Sequence, residues 1–244
     1  DITGSVSYIP WCSDAACSFT LPPDEVWVDD DFTASTAGWD IVNFDSIQEG
    51  IDAVAEGGTV YVYPGNYAEG VVIDKPNITI ESTDGAASTI IDTPAGTLTT
   101  GVEIGATNLG VITFDGFTVQ NFTESGIVQG MSDHEGTTFH VLNNIIIPAN
   151  GYLRNGIQVS GDGSTVIGNT VNGAPLTDSW ASSGIIVVNA SDVTVQNNTV
   201  DGGTLGVDIG ISVLNYSGTV DNVTIQGNNV TKAGNAIRIS GGDS

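Results

Sequence analysis

A chain of 244 residues with 29 acidic side chains and four lysines and arginines carries a formal net charge of −25. That is the opposite of the basic footprint that nucleic acid needs, and an anionic membrane surface repels it. The 32 glycines, one methionine and abundance of Val, Ile, Thr and Asn favour strands over helices, and no stretch of 18 apolar residues suggests membrane insertion.

In chain order, V-S-Y-I-P-W-C-S-D-A-A-C (6–17) comes first. Val6 and Tyr8 alternate with Ser7 and Ile9, and Pro10 stops the strand. Cys12 and Cys17 are the two cysteines. A small disulfide loop between them suits an oxidising compartment, and two free thiols are the alternative. Leu21-Pro22-Pro23 reads as a stiff joint. Asp29-Asp30-Asp31 follows V-W-V. In an extended strand Asp29 and Asp31 share a face, which makes them the pair for a Ca²⁺ ion completed by backbone carbonyls. A solvated acidic edge is the plainer reading.

The helical pattern lies over Phe44–Gly58. Ser46 followed by Glu49 is a capping box, and Ile47, Ile51 and Val54 form one apolar stripe. Gly57-Gly58 is the expected stop. T-V-Y-V-Y-P-G-N-Y (59–67) follows as a strand ended by Pro64-Gly65.

From there the sequence repeats itself. H-V-L-N-N-I-I-I (140–147), T-V-I-G-N-T-V-N (165–172), T-V-Q-N-N-T-V-D (194–201) and T-I-Q-G-N-N-V-T (224–231) align without gaps. Their fifth position is Asn144, Asn169, Asn198 and Asn228. F-D-G-F-T-V-Q-N (114–121) is a looser copy with Phe117 near that place. Each copy precedes a second short strand that opens on a small residue: G-I-V at 126, G-I-Q-V at 156, G-I-I-V at 184, G-I-S-V at 210 and A-I-R-I at 236. Two or three strands per period of 25–30 residues, with almost no helix, predict an all-β fold: a parallel β-helix with one N-terminal capping helix. The recurrent asparagine is expected at a corner, where it tolerates a left-handed backbone and its amide stacks on the next.

This pattern resembles the right-handed parallel β-helix proteins of the pectin-lyase-like superfamily, and more closely its non-catalytic surface branch in archaeal and bacterial cell-envelope proteins. The residues that carry the likeness are V-W-V-D-D-D (26–31), F-D-S-I-Q-E-G-I-D-A-V (44–54), G-G-T-V-Y-V-Y-P-G-N-Y (57–67) and V-V-I-D-K-P-N-I-T-I (71–80). The resemblance implies a β-helix domain over 24–244, with a cap at 24–58 and rungs at 59–244. It also implies that a V-x-Y-x-P-W strand closes the far end of such a coil, whereas here it stands at the front, in 1–23. At the back, A-I-R-I-S-G-G-D-S (236–244) reads as mid-rung. The expectation is that Val6, Tyr8, Ile9, Pro10 and Trp11 complete the end of a neighbouring unit. That unit is another copy, head to tail, or an adjoining domain of a longer chain. The expected role is an extracellular structural subunit of a surface filament, sheath or layer.

Two other roles compete. A carbohydrate-active enzyme, lyase or hydrolase, would draw on Asp133 and Glu135 in S-D-H-E-G and on Arg154 in N-G-Y-L-R-N-G. A carbohydrate-binding adhesin would use loop aromatics such as Trp39 and Trp180. Seven N-x-S/T sites, at Asn77, Asn121, Asn189, Asn197, Asn215, Asn222 and Asn229, suit a glycosylated protein outside the cell.

Overall fold

The computed structural model describes residues 21–94, 99–131, 136–149, 153–173, 182–203, 207–216 and 220–241. Among them the chain coils through three parallel sheets in strict rotation. The first sheet has nine strands. Asn43–Phe44 and Glu25–Val28 lead it, followed by Thr59–Val62, Thr79–Ser82, Gly110–Asp115, Thr137–Leu142, Thr165–Ile167, Thr194–Gln196 and Thr224–Gln226. The second sheet has seven strands, from Gly65–Tyr67 to Asn229–Thr231, and the third has seven, from Val71–Ile73 to Ala233–Gly241. Consecutive members of each sheet pair in parallel, so every rung stacks on the one before. Parallel strands joined by such crossovers wind with a right hand. Each rung thus contains three strands, at the upper limit of the sequence expectation, and the chain is an all-β parallel β-helix.

The core is a set of vertical columns. Val26, Val60, Ile80, Phe114, Val141, Val166 and Val195 are register partners down the first sheet, and all are buried. Alternation puts their neighbours outside. Each fully buried Val, Ile or Phe contributes roughly 1.5–3 kcal/mol, so repetition of one residue type per column holds the coil together.

The bend from the first sheet to the second explains the asparagine repeat. The left-handed residue of that corner is Gly116, Asn143, Gly168, Asn197 or Gly227, one position before the recurrent asparagine. The asparagine itself turns inward. Asn144 N–H and Nδ2 donate to Asn169 Oδ1 at 2.9 and 3.1 Å, and Asn169 does the same to Asn198 Oδ1 at 2.9 and 3.1 Å. Asn198 repeats it to Asn228 Oδ1 at 2.9 Å for both bonds. Each Nδ2 also reaches a carbonyl of the first sheet; Asn169 to Val141 is 2.8 Å. Asn144, Asn169 and Asn198 are buried, so the side chains satisfy backbone groups that the corner would otherwise orphan. Phe117 occupies the same place in its rung: its N–H donates to Asn144 Oδ1 at 2.9 Å, and its ring stacks on Phe114.

The bend into the third sheet needs a missing side chain. A Cβ built on Gly101, Gly126, Gly156, Gly184 or Gly210 would lie 2.3 to 2.5 Å from Val119, Ile146, Val171, Val200 or Val230. The small residue that opens each G-I strand is therefore a packing requirement, and Ala236 takes its place in the last described rung.

The helix is shorter than its sequence pattern. It runs Ile47–Ala53, with Ser46 accepting the Glu49 N–H and Val54 already extended. The predicted stop at Gly57-Gly58 comes a turn too late, because the residues after Ala53 deliver the chain to the first sheet. Ala55 N–H bonds to Pro23 O, and Thr59 N–H to Asp24 O, both at 2.8 Å. Ile47, Ile51 and Val54 are buried over the first rung. The strand that opens at Thr59 ends at Val62, just ahead of the expected stop at Pro64-Gly65, and Gly65–Tyr67 is a second strand beyond the turn. Three side chains fasten the helix. Glu69 accepts the N–H groups of Ile47 and Gln48 at 2.7 and 3.0 Å. The Gln48 amide both accepts from and donates to the Val72 backbone, standing in for a missing strand at the sheet edge. Lys75 Nζ donates to the carbonyls of Asp52 and Val54.

Candidate binding groove on the third sheet

In the G-I-x-V strands, Ile faces the core and x faces out. Register brings the outward residues into one row across the sheet: Val128, Gln158, Ile186, Ser212 and Arg238. The outer face is nevertheless sheltered. All five residues of Asn155–Val159 and all six of Ser183–Val188 are buried. Ile186 and Val188 point away from the core yet are 7% and 1% exposed. A groove of about 550 Å³ runs along this face. Glu124, Arg154, Asn155 and Gln158 line it toward the earlier rungs; Ser212, Leu214, Tyr216 and Arg238 line it toward the later ones.

Its amides are held in place. Asn155 Nδ2 donates to Gln158 Oε1 at 2.8 Å, and Gln158 Nε2 donates to Gln129 O at 2.8 Å. The cations are not. Of the four in the chain, Lys75 is spent on the helix and Lys232 pairs with Asp201 at 3.0 Å, a contact that holds the Asp201 carboxyl below its usual range. Arg154 and Arg238 both reach the groove. Arg154 is anchored through its backbone, its N–H on Glu124 O at 2.7 Å. Neither guanidinium has a hydrogen-bonding or ion-pair partner among the described residues. The floor holds one more unmatched group. Ser212 is 0% exposed, and its Oγ has no partner among the described residues. Ile211 and Val213 beside it face the core, so the hydroxyl is turned to the groove.

The structure therefore brings Arg154 into a site, whereas Asp133 and Glu135 lie outside the described residues. So do Val6, Tyr8, Ile9, Pro10, Trp11, the Cys12 and Cys17 pair, and Trp180. Asp29 Oδ1 accepts the Asp31 N–H at 3.0 Å, and Asp30 Oδ2 accepts the Asn66 N–H at 3.0 Å. Among the described residues no group of three or more His, Cys, Asp and Glu is placed to hold a metal. Trp27 stacks on Tyr61 with ring centroids 4.5 Å apart, and Trp39 bridges to Asn43. Of the sequon asparagines, Asn77, Asn121, Asn189, Asn197 and Asn222 sit at left-handed corners with φ between 53° and 62°. Asn215 ends a strand of the third sheet and Asn229 opens an exposed strand of the second. Sequence reasoning missed Gln158, Ser212 and Tyr216. The signal that finds the first two is the x of G-I-x-V.

No family model and no curated protein matches the sequence. Among solved structures, the chain is similar to a pectin methylesterase from Aspergillus niger, with a TM-score of 0.47 and 13% identity over 92% of this chain and 88% of that one. It is also similar to a pectin methylesterase from carrot, with a TM-score of 0.37 and 13% identity over 93% and 90% of the two chains.

Proposed function

We propose that this chain is an extracellular carbohydrate-binding β-helix module whose ligand lies in the groove of the third sheet. The observation that carries this reading is the row of outward residues from neighbouring strands, about 4.8 Å apart, sheltered along a face that would otherwise be open. Amides, a hydroxyl and guanidinium groups suit sugar hydroxyls, and Ile186, Leu214 and Tyr216 suit the apolar faces of sugar rings. Hydrolysis by paired carboxylates has less support: Glu124 is the one carboxylate among the described lining residues. Calcium enters the proposal as a bridge between the acidic protein and an acidic glycan.

Calorimetric titration with a panel of oligosaccharides, with and without a Ca²⁺ chelator, tests this. Binding that the double variant Gln158→Ala, Tyr216→Ala weakens at least tenfold supports the groove; binding that the variant leaves unchanged refutes it. Release of new reducing ends during the titration, lost in Glu124→Gln, would restore the enzyme reading.

A second reading, end-to-end assembly into a filament or layer, rests on the last described rung. Ile237 and Ile239 are 50% and 75% exposed, although their register partners Ile211 and Val213 are buried. They continue the core columns, so the occupant that fits is another strand of the same alternation, either an adjoining stretch of a longer chain or Val6–Trp11 of a following copy. Light scattering and electron microscopy on the chain with and without residues 1–23 test it. Fibres or sheets that vanish on deletion support assembly, and monomers in both samples sink it.

A further inference from the structure

We propose that Ser212 and Arg238 form an anion subsite in this groove, built for a carboxylate or sulfate group on a sugar. The inference rests on the glycan-binding reading and narrows it to acidic ligands.

Three observations converge on it. First, Ser212 and Arg238 are direct register partners on adjacent strands, so their Cα atoms are about 5 Å apart, and both side chains face outward. Second, the Ser212 hydroxyl is buried without a partner among the described residues. A native protein rarely leaves such a group unmatched, and a ligand is one explanation for the exception. Third, in a chain of net charge −25, 29 carboxylates are available to pair with two arginines. Both instead project into the one groove without an ion pair among the described residues. A guanidinium offers two parallel N–H donors to an oxyanion. The Ser212 O–H adds a third donor from the adjacent strand, at the floor. Arg154 stands beside Asn155, three strand steps across the sheet from Arg238 and four residues back along the strands, a span of roughly 20 Å at about 4.8 Å per strand and about 3.3 Å per residue. A second acidic group further along a chain-like ligand would meet it there.

The test uses the whole chain and four probes of matched length: a uronate hexamer, its methyl ester, a sulfated hexaose and a neutral hexaose, each titrated by calorimetry. The expected result is that an acidic hexamer binds at least tenfold more tightly than the methyl ester or neutral one, with the uronate and sulfate arms telling the two anions apart. Arg238→Gln is expected to remove that preference and Arg238→Lys to restore part of it. Ser212→Ala is expected to weaken acidic ligands about fivefold while Tm stays level or rises, because the substitution deletes an unmatched hydroxyl. That opposite movement separates a ligand contact from a structural one. If Ser212→Ala lowers Tm by several degrees and leaves affinity intact, the subsite is wrong. If neutral and esterified hexamers bind as well as acidic ones, the subsite is again wrong while the glycan reading stands. If no hexamer binds, both fall.

Discussion

Replacing Asn169 with alanine removes one link from the middle of the buried amide ladder. The Asn169 Oδ1 accepts both Asn144 N–H and Asn144 Nδ2, and its own Nδ2 donates to Val141 O. Alanine leaves the buried Asn144 N–H without a partner, which costs about 1–3 kcal/mol, and strips the side-chain donor from Val141 O, which keeps its ladder bond within the sheet. With the other side-chain bonds lost, the expected destabilisation is roughly 2–4 kcal/mol, against a total stability of about 5–15 kcal/mol for a typical domain. Asn228→Ala is the control. It deletes the same side chain from the half-buried end of the ladder, where water replaces the lost acceptor, and about 1 kcal/mol is expected. Equilibrium urea unfolding followed by circular dichroism gives both numbers. Hydrogen exchange at the Asn144 amide reads the same event locally, because rungs of a solenoid contact only their neighbours. An Asn169→Ala protein within 1 kcal/mol of wild type, or no worse than Asn228→Ala, would show that the ladder is ornamental and the core columns alone hold the corner.

Two further perturbations probe the frame. Gly184→Val forces a side chain to within 2.4 Å of Val200 and should cost 3 kcal/mol or more by overpacking, whereas Gly57→Ala meets nothing within 4 Å but a φ of +82° and should cost about 1 kcal/mol; equal losses on thermal unfolding would refute the packing account. Burial raises the Glu69 carboxyl above its ordinary range, although the N–H groups of Ile47 and Gln48 oppose the rise. A raised carboxyl binds its proton more tightly in the folded state, so its stabilisation is complete below the unfolded value and falls as pH climbs through the folded one. Urea midpoints from pH 4 to 7 should therefore decline more steeply for wild type than for Glu69→Gln, and parallel profiles would count against it.

The frame was legible in the sequence because it recurs. T-V-x-x-N marked the first corner and G-I-x-V the last, since Val, Ile, Asn and Gly each solve one steric problem that every rung meets again. The helix end was not legible: Gly57-Gly58 looks like a stop, but hydrogen bonds from Ala55 and Thr59 to residues 23 and 24 claim that stretch for the sheet. The left-handed corner was placed one residue late because Asn143 and Asn144, or Asn197 and Asn198, are alike in type and differ only in which one turns inward. The groove was hidden for the opposite reason. Gln158, Ile186, Ser212 and Arg238 share no chemistry, and only register makes them neighbours.

The corners carry one more consequence, for the covalent surface of the molecule. Asn77, Asn197 and Asn222 take the left-handed bend, and Thr79, Thr199 and Thr224, two residues on, open the next strand. Bend, inward residue, strand: the geometry of the coil itself spells N-x-T. A transferase that reads linear sequence meets its acceptor signal at those turns where asparagine takes the bend and threonine opens the strand, and sugars added at Asn77 and Asn222 would stand on one edge of the coil. The density of such signals is thus a by-product of folding geometry, and their occupancy is a separate property of the cell that makes the chain.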